Sequence, residues 1–128
     1  MNTNPYLSKN FPIWRDAEQL MVSVELAVRQ FSRYYKYTLG TELRQMTMQV
    51  LSNTTHAINQ KERRQQWVNR LVLVIEELKL KIQIGKTLQA FASFSVFEKL
   101  ARLAVGIAKQ ATAWRNKLQG GAASRGRT

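Results

Sequence analysis

Cysteine is absent from this 128-residue chain, histidine occurs once, proline twice, and eight acids stand against twenty Lys and Arg. Without cysteine there is no disulfide framework, no thiolate zinc site and no cysteine nucleophile, a composition that suits a reducing cytoplasm. The single histidine, His56, sits in the polar stretch SNTTHAIN. Alone it cannot build a transition-metal site, and the carboxylates that would have to help are scattered. Glu76 and Glu77 are neighbours, so on a helix they point to different sides and cannot act as a pair. No glycine-rich phosphate loop occurs. A Ser–His–Asp set could be drawn from Asp16, His56 and any serine, but no spacing supports it. The expectation is a protein that is not an enzyme and needs no cofactor and no metal.

The opening residues, MNTNPYLSKNFPIW, lack the charged start and apolar core of a signal peptide. No apolar run approaches the roughly 20 residues that span a bilayer. A soluble, cytoplasmic protein is expected.

Both prolines, Pro5 and Pro12, precede residue 13, so nothing later must break a helix on proline grounds. Residues 1–12 read as an N-terminal extension. From Ile13 the apolar residues recur at threes and fours through Ala17, Leu20, Val24, Ala27, Val28 and Phe31 to Tyr35, one face of a long first helix. YTLGTE ends it, with Gly40 suited to a left-handed turn and Thr41 as the next N-cap. A second helix carries Leu43, Met46, Val50 and Ala57 and fades near Asn59. A third starts near Lys61 to Arg63 and runs to about Ile84, with Gly85 as its stop. Residues 86–94 read as either a loop or a short helix. Ser95 and Glu98 match a capping box that opens a fourth helix, with Phe97, Leu100, Ala104, Ile107, Ala111, Trp114 and Leu118 on one stripe. Residues 119–128 read as a flexible basic tail. Four helices of about 20 residues, each about 30 Å long, over residues 13–118 predict an all-α, antiparallel up-down-up-down four-helix bundle.

These helices hold more apolar surface than one bundle core needs. The third runs five apolar residues without a break, Leu71 to Ile75, and a helix hydrophobic all round is buried all round. The spare stripe predicts self-association, with Val22, Leu26, Leu73, Val74 and Leu80 as the oligomer interface. The plainer reading is a loosely amphipathic helix with a few exposed aliphatics.

The formal charge of +12 is one-sided: residues 1–77 hold ten cations and seven acids, residues 78–128 ten cations and one acid, Glu98. Such an excess points to a polyanionic partner, nucleic acid or an anionic membrane. Up-down topology would gather Arg63, Arg64, Arg115 and Lys117 at one end, with the tail cations Arg125 and Arg127. Lys79, Lys81, Lys86, Lys99 and Arg102 would lie at the other end and Arg70 midway. These ten bundle residues, Arg63 to Lys117, are the candidate nucleic-acid contacts. No helix-turn-helix, RNA-recognition or zinc-finger signature occurs, so binding should be weakly sequence-selective, because phosphate contacts position without specifying. Glu25–Arg29, Glu77–Lys81 and Glu98–Arg102 are expected as i,i+4 ion pairs.

A long helix ending in aromatics, then YTLGTELRQ, a second helix and a leucine-rich third, resembles the four-helix-bundle family of 23S ribosomal RNA intervening-sequence proteins. The likeness is greatest to its branch in diversity-generating retroelements, the accessory variability determinant proteins. It covers about residues 11 to 118, and its best local motif is Leu39-Gly40-x-x-Leu43-Arg44. The resemblance implies a homopentameric barrel that binds RNA and DNA through a basic surface and partners a reverse transcriptase in mutagenic retrohoming. In that process an error-prone copy of a template RNA replaces a variable region of a target gene. It also supplies a use for the spare apolar stripe, as a subunit interface. Two other readings remain open: a stand-alone RNA-binding bundle of the ribosomal type, and a membrane-surface protein using basic amphipathic helices.

Overall fold

The computed structural model describes the backbone of residues 4–126 and the side chains of residues 4–121. Among the described residues the protein is all-helical: α1 (Pro5–Asn10), α2 (Pro12–Arg29), α3 (Arg33–Lys36), α4 (Leu39–Asn59), α5 (Arg64–Thr87) and α6 (Phe94–Gly126), with a 3₁₀ turn, Lys61–Arg63, between α4 and α5. No helix among them is long and apolar enough to cross a membrane.

α2 packs on α4 and α6, and α5 packs on the same two helices. Named contacts give the directions. Near the start of α2, Trp14 Nε1 donates to Thr55 Oγ1 late in α4 at 2.9 Å, while at the other end Val28 of α2 lies against Gly40 of α4. α2 and α4 are therefore antiparallel. Gln110 of α6 donates to Asp16 of α2 at 2.9 Å, and at the opposite end Phe91 joins Phe31 and Phe97, with ring centroids 5.4 and 6.0 Å away. Between these ends Leu20, Leu43, Leu71, Ile75, Leu78, Ile82, Leu100 and Ile107 are almost wholly removed from water. Each such side chain contributes about 1.5–3 kcal/mol of transfer free energy. Among the described residues the two buried polar side chains, Thr47 and Thr54, satisfy themselves by donating to Arg44 O and Val50 O within their own helix.

The structure corrects several boundaries. The extension holds a helix: Asn4 Oδ1 accepts from Leu7 N at 3.1 Å, Pro5 occupies the first turn where no N–H is needed, and Leu7 is buried. The first long helix stops at Arg29 rather than continuing to Tyr35. Ser32, extended at ψ 157, starts α3 by accepting from Tyr35 N.

Gly40 is not a left-handed turn residue, and Thr41 is not an N-cap. Both lie inside α4, whose N-cap is Thr38. Gly40 is there for closeness, since a Cβ would fall 2.7 Å from Val28 Cγ1 and 3.1 Å from Tyr35 O. Gly85 likewise does not end α5. It is buried inside the last turn, where a Cβ would meet the Phe91 ring at 2.7 Å.

The stop lies at Gln89, which adopts φ 57. Gln89 N donates to Lys86 O and Ala90 N to Gly85 O, at 3.0 and 2.9 Å, the paired bonds of a Schellman motif without the usual glycine. α6 is opened by Ser93, whose Oγ accepts from Val96 N, so the expected Ser95–Glu98 box does not form. α6 also passes Leu118 and runs to Gly126, because Gly120 and Gly121 each cost only about 1 kcal/mol and no proline stops a helix already under way.

Candidate nucleic-acid interface

The ten candidate cations do not gather into one patch, and the helices explain how they divide. α6 turns Phe97, Leu100, Ala104, Ile107 and Ala111 into the core. Residues 99, 102, 106, 109, 113 and 117 follow at threes and fours on the opposite face, which places Lys99, Arg102, Lys109 and Lys117 on one exposed stripe. From Lys99 to Lys117 the stripe runs 18 × 1.5, or about 27 Å. The helix has one acid, Glu98. Among the described residues none of these four cations is in an ion pair, so the expected Glu98–Arg102 pair is not formed.

Lys79 extends this face onto α5. It lines the groove between α5 and α6 together with Val105 and Lys109, held by Glu76 at 3.1 Å. Lys109 was not among the candidates, because sorting the cations by end takes no account of which way each faces about its helix. Its i+7 relation to Arg102 was the signal that could have found it.

The remaining candidates are placed elsewhere or are occupied. Lys86 lies over the Phe94 and Phe97 rings at 5.6 and 5.1 Å, at the start of α6. Lys81 turns towards α4 and pairs with Glu42 at 3.5 Å rather than with Glu77. Arg70 stacks over Trp67 at 4.8 Å, and Trp67 in turn stacks on His56 at 4.4 Å. Gln60 ties that pair together, accepting from Trp67 Nε1 and lying 3.1 Å from His56 Nδ1.

Arg63 is exposed, but Arg64 is committed: its Nε and Nη2 donate to Ala57 O and Ile58 O at 2.7 and 2.9 Å, closing the C-terminus of α4. Arg115 Nε is buried without a hydrogen-bond partner, so that nitrogen is not offered to a ligand. The side chains of Arg125 and Arg127 lie outside the described residues.

The expected interface residues divide differently. Leu73 and Leu80 are 72% and 53% exposed on α5, whereas Leu71, Val72, Ile75, Leu78 and Ile82 face the core. Val74 is partly buried against that core, which makes it part of the fold first. Val22 and Leu26, with Met21 and Met48, line an apolar groove of about 350 Å³ between α2 and α4, rimmed by Glu25, Arg29 and Arg44. Arg44 and Arg29 both reach Glu25, at 2.7 and 3.7 Å, the second being the expected i,i+4 pair.

No protein-family model matches the chain, and no curated protein matches it significantly.

Proposed function

We propose that this chain is a non-enzymatic accessory protein of a diversity-generating retroelement, related to the accessory variability determinant (Avd) proteins. In this reading it is a four-helix bundle that assembles into a homopentamer and holds RNA and DNA beside a reverse transcriptase. The observation that carries the reading is the α6 stripe of Lys99, Arg102, Lys109 and Lys117, exposed and without paired acids. Solubility alone does not require cations sorted onto one face, whereas displacing counterions from a row of phosphates does gain from it.

The apolar residues support assembly in a ring. α2 and α5 are separated by α4 and α6, each of which contacts both. The Leu73–Leu80 ridge and the Val22–Leu26–Met48 groove therefore lie on different sides of the protomer. A ridge on one side and a groove on another make a heterologous contact, the kind that closes into a ring when its rotation permits. Glu77, between the two leucines and in no ion pair among the described residues, would meet Arg29 at the rim of the neighbour's groove. Five copies would carry a formal 5 × 12 = +60, enough to grip a polyanion with no strong site in any one copy.

Reversing charge at Lys99, Arg102 and Lys109 tests the whole reading. The expected result is joint loss of nucleic-acid binding and retrohoming, with helicity and assembly intact. Retrohoming that survives without nucleic-acid binding would overturn it. Binding of structured RNA with no capture of a reverse transcriptase would replace it with the ribosomal type.

A further inference from the structure

At the end of the molecule away from Phe91, α1 and the α4–α5 connection enclose an open cleft of about 720 Å³, within the size range of small-ligand sites. One wall is aromatic. Tyr6 is 66% exposed and meets Phe11 edge to face, with centroids 6.3 Å apart and planes at 64°. The other wall includes the 3₁₀ turn, with Lys61, Glu62, Arg63 and then Arg64 lining the cleft.

The two walls differ in chemistry in a way that matches one ligand class. The negative end of α4 would ordinarily repel an anion here, but Arg64 closes its last carbonyls with two charge-assisted bonds. Lys61 and Arg63 are exposed and in no ion pair among the described residues. The cleft thus offers, in one lining, an aromatic face, free cations, and one carboxylate, Glu62, able to accept from an exocyclic amino group.

We propose that this cleft binds an unpaired nucleotide of a single strand, its base stacked on Tyr6 and its phosphate held by Lys61 and Arg63. The assignment rests on the nucleic-acid reading above and adds strand selectivity to it. In a duplex the base faces are already stacked on one another, so only an unpaired base can use Tyr6, whereas the α6 stripe takes either form. The aromatic face is sequence-tolerant because every base has one.

Fluorescence anisotropy on the full chain, at one fixed low salt concentration, tests the site with a labelled single strand of about 16 nucleotides and a duplex of equal length. Tyr6→Ala should weaken single-strand binding about ten-fold, the size of one lost base stack, and leave duplex binding unchanged. Tyr6→Phe should restore it. Circular dichroism should show both variants keeping the wild-type helicity, as expected for an exposed side chain.

Equal loss for strand and duplex, no loss for either, or failure of Tyr6→Phe to restore binding would overturn the proposal. A nucleoside monophosphate that displaces the strand at micromolar concentration would overturn it in favour of a free-nucleotide site. If the wild type binds neither strand nor duplex, the function proposed above fails with it. If it binds both and Tyr6→Ala changes nothing, only this inference fails.

Discussion

Leu73 and Leu80 lie seven residues apart on the outermost line of α5, pointing away from the core that Leu71, Ile75, Leu78 and Ile82 fill. A core position would not leave them 72% and 53% exposed. Introducing glutamate at both should therefore leave helicity unchanged and abolish assembly. Light scattering of the wild type should give about 5 × 14.8, or 74 kDa, and the double variant one-fifth of that. A charge at Val74 should instead weaken the fold itself, because Val74 packs against the core. A wild-type monomer at micromolar concentration would contradict the assembly.

Two glycines in helices should respond with opposite sign to alanine. Gly40→Ala drives a methyl to 2.7 Å from Val28 Cγ1 and 3.1 Å from a backbone oxygen, and should cost about 1–3 kcal/mol despite alanine's better helix propensity. Gly106→Ala meets nothing within 4 Å and should stabilise by about 0.5–1 kcal/mol. Urea unfolding with unchanged m-values reads both.

Gln89→Gly should stabilise the protein by about 1 kcal/mol, because glutamine at φ 57 carries a left-handed penalty that glycine avoids. A thermal midpoint that falls would show that the glutamine side chain offsets that strain in some other way.

Arg64 and Arg63 should separate structure from binding. Arg64→Met removes two bonds to the last carbonyls of α4 and should destabilise by about 1–2 kcal/mol. Arg63→Gln should leave stability within about 0.5 kcal/mol, as expected for an exposed surface residue, and weaken nucleic-acid binding.

The helical character and most of the core were legible because threes-and-fours spacing is enforced by burial along each helix. Leu20, Val24, Leu43, Val50, Ile107 and Ala111 all sit where that spacing puts them. The glycines misled because their local freedom is only one reason for their presence. At Gly40 and Gly85 the demand comes from Val28 and Phe91, distant in sequence and invisible to local pattern. The break after Arg29 was hidden because Phe31 keeps the helical spacing while packing on Phe91 from outside the helix. Among the cations, topology sorted residues by end, but facing depends on rotation about each helix. Lys81 and Arg64 therefore turned out to be tied to Glu42 and to α4, and Lys109 joined the α6 stripe. Tyr6 escaped notice because it lies on a helix the extension was not expected to contain.

The salt dependence of nucleic-acid affinity tests the central claim most directly. If about six phosphates are engaged, log affinity should fall with log salt at a slope near −0.9 × 6, about −5, so that affinity drops about 10³-fold between about 50 and 200 mM. Lys99→Gln, Arg102→Gln and Lys109→Gln together should make that slope shallower by about 3 × 0.9, or 2.7. A wild-type affinity indifferent to salt, or a slope the triple variant leaves unchanged, would contradict the α6 stripe as the surface that holds the polyanion.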